Sequence, residues 1–402
     1  MAETLLVLIL AAIAVGEVPF FHVNRATIAL VGATVVLVAK LIPLTSAYLA
    51  IDWNTLALLF AMMVFTSHLR LAGFFELAGR TLARHAHSPR VLLAWVLGAG
   101  ALFSALFIND TVVLLLTPLV AQFTLAMGLN PLPFLIGLAV SSNIGSMVTP
   151  IGNPQNILIA TSSGLGFGPF AGALLIPGFL SLLLAWVWLS VLYRRDLKPR
   201  SFSWTPPKPL HVHKALLWKS GLALLVMLGG FILGWSLALA ALAGASLLLV
   251  TRRVKPVKIL GKVDGTLLLF FASLFIITKS VEATGGFQAL LSWSRPVLEK
   301  NLGLFSVIAA LLSNLISNVP AVMVLKPVIP TLSDPSRAWI ALAAASTLAG
   351  NLTLLGSVAN LIVAEAARPF GLKLSFGEYF KVGFPLTIVS LALTVVCLSL
   401  GW

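Results

Sequence analysis

Apolar runs long enough to cross a membrane follow one another from one end of this chain to the other. Hydrophobic residues make up 59% of the 402 residues and charged residues only 9%, whereas about a quarter of a soluble protein is charged. A soluble fold of this size could not hide so much apolar surface. The runs are continuous rather than alternating, which predicts an all-α, polytopic membrane protein and not a membrane barrel.

The basic residues indicate how the helices are threaded through the membrane. Ten crossings are predicted, near residues 4–17, 26–43, 53–69, 132–162, 169–193, 215–234, 236–251, 265–280, 338–366 and 382–400. This threading puts 19 of the 26 Lys and Arg residues on one side. Because basic loops stay in the cytoplasm, we expect both termini on the periplasmic or extracellular side of the inner membrane. The net charge of +14 then belongs to cytoplasmic loops, and we expect no nucleic-acid partner.

Two further apolar stretches are interrupted by polar residues in the middle. Residues 91–127 contain Asn109-Asp110-Thr111, and residues 303–330 contain Ser317-Asn318. Counting either stretch as a full crossing would scatter the basic loops to both sides. We therefore predict two re-entrant hairpins, each entering and leaving the membrane on one side.

Segments in the first part of the chain match segments in the second part in the same order. The run that begins at Thr55 pairs with the one at Thr266, Asn109 pairs with Asn318, and Thr149 pairs with Thr353. These matches predict a first repeat at residues 1–200, a basic, Pro-rich cytoplasmic linker at 201–214 and a second repeat at 215–402. Five crossings and a hairpin in each half make the second half inverted, an arrangement typical of secondary transporters.

Polar, Pro- and Gly-rich chain interrupts one hydrophobic stretch in each half. The sequence Thr149-Pro150-Ile151-Gly152-Asn153-Pro154 lies within 132–162, and Gly350-Asn351-Leu352-Thr353 lies within 338–366. Non-helical backbone survives in a membrane only inside protein or beside water, so we predict a broken helix in each half. Such a break offers helix N-termini to anions and free carbonyls to cations. The alternative is a kinked helix whose polar side chains only join it to its neighbours.

Asp110 is one of very few acidic residues well inside an apolar stretch. An unpaired carboxylate there is costly, which indicates a proton carrier, or a cation ligand if sodium binds. The alternative is a structural partner for a buried base or for backbone amides. In the second half, Lys326 is the corresponding charged residue within an apolar stretch. The sequence leaves open whether it attracts an anion, pairs with an acid or extends to the membrane surface.

The motifs of enzymes and metal sites are absent from the sequence. The six histidines fall in or beside loops, and one cysteine, Cys397, cannot form a thiolate cluster. There is no phosphate-binding loop and no His-Glu-x-x-His motif. We expect no enzyme activity, no cofactor and no metal site, and an ion gradient or a separate ATPase subunit as the driving force.

The interrupted segments resemble the ion transporter superfamily. The hairpin sequence Phe107-Ile108-Asn109-Asp110-Thr111, followed by Leu116-Thr117-Pro118, resembles a signature of arsenite efflux permeases. The stretch from Asn143-Ile144-Gly145 to Asn156 resembles a loop shared with sodium/proton antiporters, citrate carriers and divalent anion/sodium symporters. The segment Gly377-Glu378-Tyr379-Phe380-Lys381-Val382-Gly383 is similar to the C-terminal segment of arsenite permeases.

The resemblance implies a substrate held between the hairpin tips and the broken helices, and an elevator-like shift of that part of the protein. By match, one half-site would comprise Asn109, Asp110, Thr111, Asn143, Gly145, Thr149 and Asn153. The other would comprise Ser317, Asn318, Thr347, Asn351, Thr353 and Ser357. Carboxylate symporters repeat Ser-Asn-Thr at both tips, whereas this chain reads Asn-Asp-Thr and Ser-Asn-Val. The departure favours proton coupling through Asp110 over two sodium sites.

These expectations predict an ion-coupled secondary transporter. The preferred specific function is arsenite or antimonite efflux in exchange for protons, with neutral arsenous acid held by amide and hydroxyl groups. The alternatives are a sodium- or proton-coupled carrier of a carboxylate or oxyanion, and a sodium/proton antiporter. Whether the chain forms a homodimer or binds an ATPase subunit stays open.

Overall fold

The computed structural model describes residues 2–15, 24–198, 212–285 and 301–401, and every regular element in these residues is a helix. The prediction of an all-helical membrane fold is confirmed. The linker predicted at 201–214 lies outside the described residues except for its last three positions.

Helices of the first half begin after residues that favour the start of a helix. Ser88 and Asn153 are N-caps, each followed by a proline in the first turn of its helix. The helices are α1 (Ala2–Val15), α2 (Arg25–Val38), α3 (Leu44–Ala50), α4 (Trp53–Ala72), α5 (Phe74–His85), α6 (Pro89–Leu106), α7 (Asn109–Ala126), α8 (Leu132–Val148), α9 (Pro154–Ser163) and α10 (Phe167–Leu192).

Helices of the second half follow in the same way. Asp334 caps a helix that again has proline in its first turn. The helices are α11 (Lys214–Ile232), α12 (Leu237–Leu249), α13 (Pro256–Leu260), α14 (Gly265–Ala283), α15 (Leu302–Ile316), α16 (Asn318–Leu325), α17 (Pro335–Leu348), α18 (Val358–Ala367) and α19 (Phe376–Ser399).

The two halves repeat one order of helices. The first residues of α11, α12, α13 and α14 each lie 212 positions after those of α1, α2, α3 and α4. Equivalent side chains start equivalent helices: Asp52 Oδ1 accepts the Asn54 N–H at 3.0 Å, and Asp264 Oδ1 accepts the Leu267 N–H at 3.1 Å. The shared order supports the predicted repeat, and its inverted orientation in a membrane stays a prediction.

Helices of the two halves pack in exchanged pairs. Helix α4 packs against α11 and α12, and α14 packs against α1 and α2. We call these six helices the paired group. Helices α6–α10 and α15–α19 form a second set, the hairpin group, in which α6 packs on α8, α15 on α17, α7 on α18 and α10 on α19.

Seven of the described helices are long and apolar enough to cross a membrane: α4, α6, α7, α10, α11, α14 and α19. The spans predicted at 4–17, 26–43 and 236–251 contain shorter helices, of 14, 14 and 13 residues. Both arms of the first predicted hairpin, α6 and α7, are among the seven. Helix length therefore does not separate a hairpin from two crossings there, and re-entrance stays a prediction.

His68 corrects one expectation from the sequence. It does not lie in or beside a loop but within α4, where its side chain is fully buried. Its Nδ1 lies 2.9 Å from Ser220 Oγ of α11. The expectation was wrong because α4 continues to Ala72, past the charged Arg70, and α11 covers this end of it.

Helices α6 and α8 approach each other at a glycine. A Cβ atom at Gly145 would overlap the backbone of Ala101 on α6. Only a residue without a side chain permits this separation, so Gly145 sets the distance between the first hairpin and the first broken helix.

We expect the substitution Gly145→Ala to lower the free energy of unfolding by about 1–3 kcal/mol, because the two backbones must move apart. Thermal unfolding of the detergent-purified protein measures the change. Gly98→Ala is the matched control on α6, since a Cβ there meets nothing within 4 Å, and it should leave the melting temperature equal or slightly higher. Equal melting temperatures for the two variants would contradict the close approach.

Candidate functional site

Two helices of the hairpin group are interrupted, one in each half. Helix α8 ends at Val148 and α9 begins at Pro154, while α17 ends at Leu348 and α18 begins at Val358. New helices start after side-chain caps: Asn153 Oδ1 accepts the Asn156 N–H at 2.8 Å, and Ser357 Oγ accepts the Ala359 N–H at 3.3 Å. The polar stretches singled out in the sequence thus form two breaks.

One asparagine in the first break satisfies the carbonyls that the interruption leaves free. Asn156 Nδ2 donates to the carbonyl oxygens of Ser146, Met147 and Thr149 at 3.0, 3.1 and 3.0 Å. The side chain is fully buried. Because apolar surroundings offer no water to these carbonyls, this internal donor stabilises the break.

The second break uses an equivalent asparagine. Asn360 Nδ2 donates to the carbonyls of Gly350 and Thr353 at 2.6 and 3.1 Å. Asn360, Gly350 and Thr353 each lie 204 positions after Asn156, Ser146 and Thr149. The same side chain therefore closes the same gap in both halves.

Hydrogen bonds join the two breaks, and they occur in equivalent pairs. Asn153 Nδ2 donates to Thr347 Oγ1 at 3.2 Å, and Ser357 Oγ donates to Asn143 Oδ1 at 3.1 Å. The offset of 204 converts Asn153 into Ser357 and Asn143 into Thr347. Each bond therefore joins one break to the helix that precedes the other break.

Further bonds extend this network across the centre of the hairpin group. Asn143 Nδ2 donates to Asn351 Oδ1 at 2.8 Å and to Asn360 Oδ1 at 3.1 Å, and Thr347 Oγ1 donates to Asn156 Oδ1 at 3.4 Å. All five side chains are at most 2% exposed. The broken helices α8–α9 and α17–α18 are thus held together by amide and hydroxyl groups.

The tip between α6 and α7 is bonded to the first break. The Asn109 N–H donates to the Gly152 carbonyl at 3.0 Å, and Asn109 Nδ2 donates to Asn143 Oδ1 at 3.2 Å. Asn109 Oδ1 is buried without a partner among the described residues. A buried amide oxygen without a donor is costly, so this atom is available to a bound hydroxyl or water.

The tip between α15 and α16 is held by the second break. Ser313 Oγ lies 2.8 Å from Asn318 Oδ1 and 3.0 Å from the Ser346 carbonyl. Ser317 has φ of 78°, a left-handed conformation that costs energy in a residue with a side chain. This conformation turns the chain between the two helices.

A cavity of about 130 Å³ lies between both tips and both breaks. Such a volume holds a molecule of a few non-hydrogen atoms. Its apolar walls include Leu267 and Phe270 of α14, so the paired group borders it too. Its polar lining comprises Arg25, Asn109, Asp110, Gln155, Ser317, Asn318 and Ser357.

Opposite charges line this cavity. Asp110 lies in the first turn of α7, where the helix dipole favours an anion, and no hydrogen bond or ion pair reaches its carboxylate from the part of the chain that the structure describes. Arg25 is the first residue of α2, and its Nη1 donates to Ser317 Oγ at 3.3 Å. Asp264 of the second half also acts electrostatically on Asp110.

The predicted site residues fall into three sets. Asn109, Asp110, Ser317, Asn318 and Ser357 line the cavity. The buried network contains Asn143, Asn153, Thr347 and Asn351 behind it. Outside the lining lie Thr111, Gly145, Thr149 and Thr353.

The residues of the third set have structural contacts instead. Thr149 Oγ1 donates to the Ala105 carbonyl, and Thr353 Oγ1 accepts a 3.5 Å bond from Asn314 Nδ2. Gly145 packs on α6. For Thr111 the structure shows only its backbone N–H, which donates to the Ile108 carbonyl at 3.1 Å.

Sequence reasoning missed Arg25, Gln155, Asn156 and Asn360 as members of the site. Asn156 and Asn360 could have been found, because they match at the repeat offset of 204. No local signal marks Arg25, since its contact Ser317 is 292 positions away. Gln155 lines the cavity, and its Nε2 donates to Thr347 Oγ1 at 3.3 Å.

Comparison with known families places this chain. A family model described as citrate transporter matches residues 6–335. The chain belongs to the citrate transporter family. It is a secondary transporter with several membrane-spanning helices, and the predicted resemblance to the ion transporter superfamily is confirmed.

Relatives match nearly the whole chain. The silicon efflux transporter LSI3 of Oryza sativa subsp. japonica is 32% identical, over 94% of this chain and 93% of that protein. The 46 kDa membrane protein of Mycobacterium leprae is 32% identical over 95% of each chain. The putative transporter arsB of Dictyostelium discoideum is 26% identical, over 93% of this chain and 87% of that protein.

A solved structure has the same fold. The YdaH transporter of Alcanivorax borkumensis, whose crystal structure is described as having an unusual topology, superposes with a TM-score of 0.66. The match covers 100% of this chain and 98% of that one, at 18% sequence identity. The likeness concerns the fold of this citrate transporter family member.

We expect Asn156→Ala to lower the free energy of unfolding by about 1–3 kcal/mol, because buried carbonyls of the first break lose their donor. Thermal unfolding in detergent measures the effect. Asn54→Ala is the control: Asn54 is an exposed asparagine in the first turn of α4 whose side chain forms no hydrogen bond with the described residues, and its loss should change stability by less than about 0.5 kcal/mol. If the two variants melt alike, Asn156 does not support the break.

Proposed function

We propose that this protein exports arsenite or antimonite from the cell in exchange for protons. The observation that carries the proposal is the cavity between the hairpin tips and the breaks, whose lining combines amides and hydroxyls with one unpaired carboxylate. A small uncharged hydroxy acid fits such a lining, because its hydroxyls can donate to amide oxygens and accept from amide and hydroxyl donors. Arsenous acid is a molecule of this class.

The names of relatives agree with this substrate class. One relative is named a silicon efflux transporter and another carries the name arsB. Silicic acid and arsenous acid are both small, uncharged hydroxy compounds at neutral pH. A site that recognises its substrate by hydroxyl groups and not by net charge can bind either compound.

Asp110 is the proposed proton carrier. Its carboxylate faces the cavity and has no partner among the described residues, so it can take up a proton where substrate also binds. Proton and substrate then compete for one small space. Such competition is the basis of exchange, because the carrier returns with one or the other.

The proposed movement is an elevator-like shift of the hairpin group against the paired group. Each tip is bonded to the break of its own half, through the Asn109 N–H to Gly152 and through Asn314 Nδ2 to the Ala349 carbonyl at 3.0 Å. These bonds favour movement of tips and breaks as one body. As that body moves, the cavity would leave the lining residues of α2 and α14 and face other residues of the paired group.

A second candidate is transport of a carboxylate or an oxyanion coupled to protons or sodium. The observation that favours it is the guanidinium of Arg25 at the cavity, since arginine binds carboxylate with two parallel hydrogen bonds. The family description names citrate. A sodium/proton antiporter is the third outcome that the following experiment separates.

Transport by the purified protein in proteoliposomes tests the proposal. With a proton gradient imposed, we expect uptake of arsenite but not of citrate, succinate or sodium. The substitution Asp110→Asn should reduce gradient-driven arsenite uptake about tenfold or more, because the proton has no carrier. Exchange of labelled for unlabelled arsenite without a gradient should persist in this variant.

Three results would contradict the proposal. Uptake of citrate or succinate without arsenite would establish the second candidate, and sodium movement alone would establish the third. Unchanged gradient-driven uptake by Asp110→Asn would remove the proton carrier. Asp196→Asn is the control: this exposed carboxylate accepts a hydrogen bond from Asn130 and does not belong to the cavity lining, so its loss should not affect uptake.

We also propose that the protein lies in the inner membrane with both termini outside. The excess of basic residues in the loops assigned to the cytoplasm supports this orientation. In a Cys397→Ser background, a single cysteine added at either end should react with an impermeant thiol reagent on intact cells. Reaction only after the cells are opened would reverse the orientation.

A further inference from the structure

Arg25 connects the two groups of helices at the cavity. It starts α2, which packs on α14 within the paired group. Its guanidinium donates to Ser317 Oγ at 3.3 Å, and Ser317 is the tip residue of the hairpin α15–α16. A single side chain thus reaches from one group to the substrate-facing tip of the other.

The bond to Ser317 leaves most of the guanidinium unused. An arginine side chain has five N–H donors, and Ser317 accepts one bond. Among the described residues no carboxylate forms an ion pair with Arg25. The side chain is half-buried, so its charge is partly removed from water without an acidic partner.

Asp110 is the complementary group. It lines the same cavity of about 130 Å³ and lies on α7, within the hairpin group. Opposite charges in so confined a space attract more strongly than in water. Asp264 is the charged group that acts on Asp110 in this structure; it repels the carboxylate, so a cation that moved to Asp110 would relieve the repulsion.

We propose that Arg25 is a coupling residue, a charge latch that pairs with Asp110 and holds the hairpin group to the paired group when Asp110 is negatively charged and the cavity holds no substrate. The structure, in which no ion pair joins the two side chains among the described residues, corresponds to the open latch. Protonation of Asp110 removes the negative charge and opens the latch. Bound substrate opens it by occupying the space between the two side chains. The inference rests on the proposed exchange of substrate for protons at this cavity.

The latch explains why substrate can move only in exchange for protons, and protons only in exchange for substrate. A carrier that could return empty and deprotonated would let protons leak through the membrane without moving substrate. Because the latch is closed only in the empty, deprotonated carrier, it blocks only the return of that form. The proton that leaves Asp110 goes to water on the releasing side, and Arg25 keeps its charge throughout.

A proton-leak assay without any substrate tests the latch. Full-length protein is reconstituted in liposomes that contain a pH-sensitive dye, the membrane voltage is clamped with potassium and valinomycin, and a pH step is applied. We expect Arg25→Gln, which keeps a polar side chain but has no charge, to increase the leak about tenfold over wild type. The double variant Arg25→Gln with Asp110→Asn should be as tight as wild type, because the proton carrier is gone.

Two further variants complete the test. Arg337→Gln is the matched control, because Arg337 pairs with Asp334 at 3.4 Å on the exposed start of α17, and it should not leak. Arg25→Lys keeps the charge but replaces the planar guanidinium with a single ammonium group, so a small leak that Asp110→Asn abolishes is expected. This variant decides the matter if Arg25→Gln fails to fold.

Two results would overturn the proposal. One is a folded Arg25→Gln protein, or in its absence Arg25→Lys, that is as tight as wild type. Another is a leak that survives Asp110→Asn, which would indicate a general defect of packing.

The failure of the latch and the failure of the substrate assignment give different results. The leak is measured with no substrate present, so it reports on Arg25 and Asp110 even if wild-type protein does not move arsenite. Conversely, wild-type uptake of arsenite with no leak in any Arg25 variant would keep the proposed function and remove the latch.

Discussion

A backbone polar group in hydrocarbon must be bonded within the protein, and the centre of this molecule is built around that requirement. Each half interrupts a helix where apolar surroundings offer no water. Asn156 and Asn360 supply the missing donors from within the following helix. Because these carbonyls are bonded, the capping residues and the hairpin tips are not needed as their donors. They can surround a cavity instead.

Duplication makes this arrangement self-supporting. The bond from Asn153 to Thr347 and the bond from Ser357 to Asn143 are equivalent contacts, each of which joins one break to the helix before the other. Part of the polar surface of each broken helix is bonded to residues of the other half, so each half stabilises the break of the other. Mutually bonded polar side chains specify one arrangement strongly, and those of Asn143, Asn153, Thr347 and Ser357 do so where the halves meet.

The sequence predicts much of this centre because its signals are local. Pro154, Gly152 and the capping Asn153 stand next to one another, and their counterparts recur 204 positions later, so both breaks were predicted within a few residues. Contacts that form only in space were not predictable. From the sequence alone, Arg25 is a basic residue in a loop. No neighbouring residue in the chain indicates its contact with Ser317. His68 was misplaced for a similar reason, since a neighbouring helix and not its own sequence covers it.

The repeat is faithful in its backbone but not in its charges. The position equivalent to Arg25 at the start of α12 is Leu237, and the tip residue that aligns with Asp110 is Val319. The ionisable residues of the cavity, Arg25 and Asp110, therefore come from the first repeat only. A molecule in the cavity meets charged groups on the side of one repeat and neutral groups on the side of the other, so its orientation there is not arbitrary.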